Sequence, residues 1–220
     1  MSERARKLIQ STHPHLAKIV DEIGTLRLIR RNGYSVPEAV SRTVISQMLS
    51  ASAAATIRGR AIQLAANTGL RGISDLSYED LRRCGLSGAK ARAISEFREA
   101  FKADPARYEA WRILPKEALF AEVQKCWGLS HWSASILGIF YFGNSDILPE
   151  GDGSIKRAID LLGRCSSTQK GRSPIDADLC RPYRSYLALY LWRMLDDGIL
   201  TREVELASIR TRRGGRVTKR

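Results

Sequence analysis

Apolar residues recur along this chain with the 3.6-residue period of helices and show no sustained two-residue alternation of the strand kind. Leu16, Ile19, Val20, Ile23 and Leu26 fall on one helical face and predict an amphipathic helix that ends near Asn32-Gly33. Pro37 opens a second helix through Val44, Ile45 and Met48, and the alanine-rich stretch 51–66 forms a third, stopped between Asn67 and Gly69. Ser77-Tyr78-Glu79-Asp80 resembles a capping box ahead of a short helix ending at Gly85. Ser87 caps a helix through Phe101, terminated by Asp104-Pro105, and Pro115 stands where an N1 proline belongs, before a helix to about Cys126. Further helices run from Trp132 to Tyr141, over 155–162 with Asp152 or Ser154 as cap, and from Pro182 to about Asp196. The polar, Gly- and Ser-rich stretch 163–173 reads as an exposed loop. The predicted fold is all-α.

Two junctions share one pattern, Cys84-Gly85-Leu86-Ser87 and Trp127-Gly128-Leu129-Ser130, each a helix–Gly-Leu-Ser–helix corner. Glycine just past a helix end and serine as the next N-cap are sufficient to make such a corner. In the second, a positive φ at Gly128 and capping by Ser130 leave the amides of residues 130–132 at a helix N-terminus, where a phosphate can accept them. A hairpin of this kind holds DNA through its backbone without reading sequence, although a bare structural corner explains the triplet equally well. Eighteen residues beyond Ala134 comes Asp152, in Pro149-Glu150-Gly151-Asp152-Gly153-Ser154. Aspartate there is first of all an N-cap, and a cap is compatible with chemistry because the helix end fixes the carboxylate and favours its charge.

The charge balance points the same way. The chain carries 36 Lys and Arg against 23 Asp and Glu, a formal +13. Six of the basic residues lie between Ser208 and Arg220, a tail with Gly214-Gly215 among arginines that is expected to be disordered; about +7 remains on the body. Such a surplus favours a polyanionic partner. Four cysteines without a CxxC pair and three histidines that do not cluster exclude a zinc or iron–sulfur framework and fit reduced thiols. With no apolar run of membrane-spanning length and no signal peptide, the expected location is cytoplasmic, the nucleoid in a bacterial cell.

The stretch from Phe120 to Ala158 resembles the helix-hairpin-helix DNA glycosylase superfamily, whose signature is a G-h-G-x-x-[ST]-A hairpin followed by Pro and a catalytic Asp. Three segments are similar to its 3-methyladenine DNA glycosylase II branch. These are Ile45-Ser46-Gln47-Met48-Leu49-Ser50 followed by alanines, Leu148-Pro149 with Asp152 and Ile155-Lys156-Arg157-Ala158, and Arg181-Pro182-Tyr183-Arg184-Ser185-Tyr186 ending at Trp192. Ser130 departs from the second hairpin glycine, and Trp127 stands where proline is frequent. Trp132 occupies the position of the Schiff-base lysine of bifunctional relatives, and the family's C-terminal iron–sulfur loop is absent.

The resemblance implies a two-lobed helical glycosylase without a β domain: one lobe of about residues 36–145, a second of 1–35 with 146–207, then the tail 208–220. It implies a monofunctional enzyme, without lyase activity, that flips an alkylated purine such as 3-methyladenine out of double-stranded DNA and hydrolyses its glycosidic bond. Asp152 is then the catalytic carboxylate, and Trp132, Trp192 and Tyr183 line the base pocket. Met48 or Leu49 is the wedge, with Gln47 facing the orphaned strand. Gly128, Leu129, Ser130, His131 and Ser133 meet the DNA backbone. No catalytic cofactor is implied; the Cys126 and Leu129 carbonyls would hold a monovalent cation, Na or K. The expected state is a monomer that does not engage membranes. The alternative is a non-catalytic helix-hairpin-helix DNA-binding or lesion-sensing protein, which would need neither Asp152 nor the two tryptophans. A helix-turn-helix regulator fits poorly, because 132–141 is too apolar for a recognition helix.

Overall fold

Serines set five of the helix starts. Ser35, Ser50, Ser77, Ser87 and Ser130 each accept the backbone N–H three residues on, which satisfies one of the amides a helix N-terminus leaves without a carbonyl. A computed structural model of the chain describes residues 1–28, 33–165 and 173–205. In order the helices are α1 (Ser2–Thr12), α2 (Ala17–Ile23), α3 (Val36–Ser46), α4 (Ala51–Asn67), α5 (Tyr78–Arg83) and α6 (Gly88–Ala103). They are followed by α7 (Pro105–Glu109), α8 (Lys116–Gln124), α9 (His131–Ile136), α10 (Gly153–Cys165) and α11 (Arg184–Asp196). Residues 199–205 are also helical, and no strand occurs among the described residues, so the chain is all-α. No helix among them is long and apolar enough to cross a membrane.

The chain divides into two units, Ile29–Asn144 and Met1–Leu28 with everything from Ser145 on. In the first, α3 is buried almost all round and serves as the central helix. Its Glu38 carboxylate is buried and fully engaged, accepting from Arg42 Nε at 2.7 Å and from the Ser74 amide at 3.1 Å. Both Gly-Leu-Ser corners lie in this unit and are built alike: Gly85 and Gly128 take φ of 102° and 76°, Leu86 and Leu129 are buried, and Ser87 and Ser130 cap α6 and α9. Beyond α9 the chain continues as a π-helical turn, Leu137–Tyr141, and leaves it at Gly143 with φ 72°.

In the second unit Ala5, Ile9, Leu16 and Val20 pack with Ile155, Ala158 and Leu162 of α10 and with Leu187, Leu191 and Met194 of α11. Several boundaries differ from the periodicity. The stripe from Leu16 to Leu26 predicts a helix to Asn32-Gly33, but α2 stops at Gly24, where φ is 76°. Leu26 and Leu28 still pack on the core, from non-helical chain, so their apolar spacing outlasts the helix. The periodicity gives no sign of helix α1, whose buried face consists only of Ala5 and Ile9. Pro115 is the N-cap rather than N1, and Pro182, after a cis peptide bond, precedes the N-cap Tyr183. Helix α10 runs on to Cys165, so the predicted loop begins later; its residues 166–172, and the tail 208–220, lie outside the described residues.

His13 closes the end of α1. It is buried, and its Nε2 accepts the Asp176 amide at 3.1 Å, which only an unprotonated nitrogen can do. Burial, helped by the neighbouring His15, holds its pKa below the ordinary imidazole value. The unfolded chain takes up this proton near pH ~6.5 while the folded unit resists it. Stability is therefore full above that pH and falls as the pH drops toward the depressed folded pKa. Thermal unfolding at pH 7 and pH 5 is expected to show this loss, and His13→Gln to flatten it; an unchanged slope would assign the loss to other groups.

Candidate active site

The second Gly-Leu-Ser corner is a closed hairpin. Helix α8 ends, the Leu129 amide turns back to the Cys126 carbonyl at 3.1 Å, and α9 starts within two residues. Ser130 and Ser133 form a reciprocal capping box: the Ser133 amide donates to Ser130 Oγ at 3.4 Å and the Ser130 amide to Ser133 Oγ at 3.2 Å. The Ser130 amide is thus engaged inside the hairpin, contrary to the expectation that it stays open for a phosphate. The first-turn amides of His131 and Trp132 have no carbonyl one turn back within the helix. Ser133 is fully buried and holds the hairpin from inside rather than facing a partner; His131 is exposed, with its ring edge-on to Phe120 at 4.5 Å.

Gly128 is required twice over. Its φ is in the left-handed region, and a Cβ there would lie 2.7 Å from the Ala93 Cβ of α6. Gly128→Ala is expected to lower stability by about 2 kcal/mol or more, from backbone strain plus overpacking. Adding Ala93→Gly should return only the contact part. Denaturant unfolding of both variants checks this, and a Gly128→Ala protein of unchanged midpoint would overturn it.

Between α3 and α4 the chain makes a short link. Gln47 is the C-cap of α3 and Ser50 the N-cap of α4, so only Met48 and Leu49 join them. Met48 has φ 54°, and its side chain is 99% exposed; Leu49 is exposed as well. Gln47 does not project outward as expected for a residue facing the orphaned strand. Its Nε2 donates to the Gly128 carbonyl at 2.9 Å and to Ser133 Oγ at 3.0 Å, so its amide belongs to the hairpin.

Asp152 lies in the other unit. It is the N-terminal cap of α10: Oδ1 accepts the Ile155 amide at 3.0 Å and the Trp192 indole N–H at 3.1 Å. Asp152 and Trp192, forty residues apart, are thereby brought together. Tyr183, the N-cap of α11, is half-buried with its ring edge-on to Tyr186 at 6.1 Å, and Trp132 is half-buried on α9 in the hairpin unit. The segment leading to Asp152 is docked on the start of α11 by groups that sequence reasoning missed. Arg184 grips Asp146 with two parallel bonds of 2.8 Å, Nε to Oδ1 and Nη2 to Oδ2, and Nη2 also reaches the Asp146 carbonyl at 3.1 Å. Ser185 accepts the Ile147 amide at 2.9 Å and donates its own to the Ser145 carbonyl at 3.0 Å. Arg184 and Trp192 sit on one helix, so α11 aligns both ends of the loop that delivers Asp152.

A monovalent cation at the hairpin would be held by neutral backbone oxygens, the donor type such ions accept and transition metals do not favour. The Cys126 carbonyl keeps a second lone pair after accepting from Leu129, and the Gly128 carbonyl accepts from Gln47. Among the described residues no three His, Cys, Asp or Glu side chains group as a metal site.

This is the fold of the helical 3-methyladenine DNA glycosylases, and the chain is similar in sequence to alkylbase DNA glycosylases. The structure of the 3-methyladenine DNA glycosylase Mag1 of Schizosaccharomyces pombe, in complex with abasic DNA, matches with a TM-score of 0.73 and 27% identity, over 87% of this chain and 96% of that one. The alkylbase DNA glycosidase-like protein mag2 of S. pombe is 28% identical over 199 residues, 87% of this chain and 93% of the relative. DNA-3-methyladenine glycosylase 1 of the same organism is 28% identical over 183 residues, 80% of each chain. No family model matches the chain.

Proposed function

We propose that this protein is a monofunctional DNA glycosylase of base excision repair that extrudes alkylated purines, such as 3-methyladenine, and hydrolyses their glycosidic bond. The observation that carries the reading is the Asp152 carboxylate, held by a helix amide and by the Trp192 indole N–H. Capping α10 uses the first of these bonds in any protein; a binder has no need of the second.

The chemistry divides among few groups. Alkylation makes the purine cationic and a good leaving group, so the enzyme supplies negative charge for the sugar and π-faces for the base. Asp152 stabilises the oxocarbenium-like sugar and aligns the attacking water, as carboxylates do in sugar hydrolysis. Trp192, whose N–H edge meets Asp152, is with Tyr183 at the start of the same helix the candidate surface for a cationic base. Extruding a base costs a few kcal/mol, less for a damaged one, and Met48 or Leu49 fills the gap. The hairpin grips phosphate with main-chain amides at the start of α9. The Cys126 and Leu129 carbonyls would hold Na or K there, a fixed positive charge beside the phosphate. Trp132 in place of a lysine leaves no amine for a Schiff base, so the product is an intact strand with an abasic site. The enzyme acts as a monomer on double-stranded DNA, in a compartment that keeps its thiols reduced.

Duplexes with single defined lesions test this. Free purine should appear by chromatography, and the strand should break only after alkali treatment. Binding of every duplex with release of no base would favour the lesion-sensing alternative, and cleavage without alkali would remove the monofunctional assignment.

A further inference from the structure

We propose that Lys90 is a positioning residue that presets the Met48–Leu49 loop for entry into the duplex and locks that loop to the hairpin. The proposal rests on the glycosylase reading, in which this loop is the wedge. A residue with a side chain is rarely found at the φ of Met48, and such backbone persists only where its surroundings hold it. Met48 itself is nearly fully exposed, so side-chain packing does not do so. The hold comes from Lys90. Its Nζ donates to the Ile45 carbonyl at 2.9 Å and to the Gln47 carbonyl at 2.6 Å. These oxygens lie at the C-terminus of α3, where helix carbonyls lack partners and the helix dipole is negative. The Gln47 carbonyl belongs to the peptide unit that ends at the Met48 nitrogen, so fixing it fixes the rotation about that residue.

The same lysine joins the two corners. Its backbone N–H donates to Ser87 Oγ, the cap of the first Gly-Leu-Ser corner, at 3.3 Å. Ala93, three residues on in α6, abuts Gly128 of the second corner. From the other side the Gln47 amide binds the Gly128 carbonyl and Ser133 Oγ. Helix α6 therefore touches the wedge loop through Lys90 and the hairpin through Ala93, while Gln47 closes the ring. Burial draws the Lys90 pKa below its ordinary value, in keeping with an ammonium held by carbonyls more than by water. In this arrangement the hairpin cannot seat on a phosphate without also setting where Met48 points, and the near-repeat of the two corners acquires a use.

The test compares Lys90→Met with the unaltered protein on 7-methylguanine placed opposite cytosine and in an unpaired bulge, in single-turnover reactions. Loss of the preset loop should slow excision of the paired lesion about ten- to a hundredfold, the size of the held strain. The bulged lesion needs little wedging and should slow by about threefold or less. Lys90→Arg keeps the charge and at least two donors and should recover most of the paired-lesion rate; it carries the test if the methionine variant fails to fold. Equal slowing on both substrates, or none on either, overturns the proposal. If the unaltered protein releases no base from either duplex, the glycosylase reading falls by itself. The loop is then judged by 2-aminopurine fluorescence beside an abasic site, which must rise on binding the unaltered protein and not on binding Lys90→Met.

Discussion

Asp152→Asn is expected to reduce single-turnover base release by at least about a hundredfold, the loss typical when one preorganised electrostatic group is removed, while duplex binding stays within error. The substitution is unusually clean here. Asparagine keeps an oxygen in the Oδ1 position for the Ile155 amide and the Trp192 indole, and it is as good an N-cap as aspartate, so stability should change by less than about 1 kcal/mol. Fluorescence anisotropy on an abasic duplex and a thermal melt are the two controls. Release at the unaltered rate would remove Asp152 from the mechanism.

Arg184→Leu is the second large effect, and it acts through position. The Arg184 side chain is 7% exposed and its pair with Asp146 is bidentate, so removing it takes the strongest partner from a partly buried carboxylate. A loss of about 3 kcal/mol is expected. Burial works against the Asp146 charge, but the hydrogen bonds and charge of Arg184 outweigh it and hold the pKa below the ordinary aspartate value. A group depressed in this way contributes stability that is present above its unfolded pKa and lost as the pH falls through its folded one. In Arg184→Leu only the residue-184 amide and Arg181 still favour the charge, the carboxyl shifts upward, and acid unfolding should set in at higher pH. Because the same pair docks the loop that carries Asp152, base release should fall about tenfold even at temperatures where the variant is folded. The double variant Arg184→Leu, Asp146→Leu should regain part of the stability without regaining the rate. A single variant with an unchanged melt and unchanged rate would show that the pair has no role in placing the loop.

Local chemistry was legible in the sequence and distant chemistry was not. The caps at Ser77, Ser87 and Ser130, the positive φ of Gly85 and Gly128, and the capping role of Asp152 all follow from residues within four positions of each other. Residue type and spacing carry that information directly. The Asp146–Arg184 pair spans 38 residues and Asp152–Trp192 spans 40, and neither partner announces the other. The resemblance implies that Gln47 faces the orphaned strand; two acceptors on the hairpin, more than eighty residues away, draw its amide inward, and nothing near it in sequence announces them. Helix α1 was overlooked for a related reason, since its two buried residues are too few to make a stripe and its position depends on packing against α11 and the Ala177–Cys180 turn.

The capping box has one consequence for how this protein can be dissected. Ser130 and Ser133 point their hydroxyls at each other and at Gln47, so in the proposed grip the hairpin offers a phosphate peptide N–H, which every amino acid except proline supplies. A side-chain scan across residues 128–133 will therefore register folding defects and report little about the grip itself. Replacing the amides at 131 and 132 with esters, which deletes the donors and spares the side chains, is the substitution that would make the contact visible.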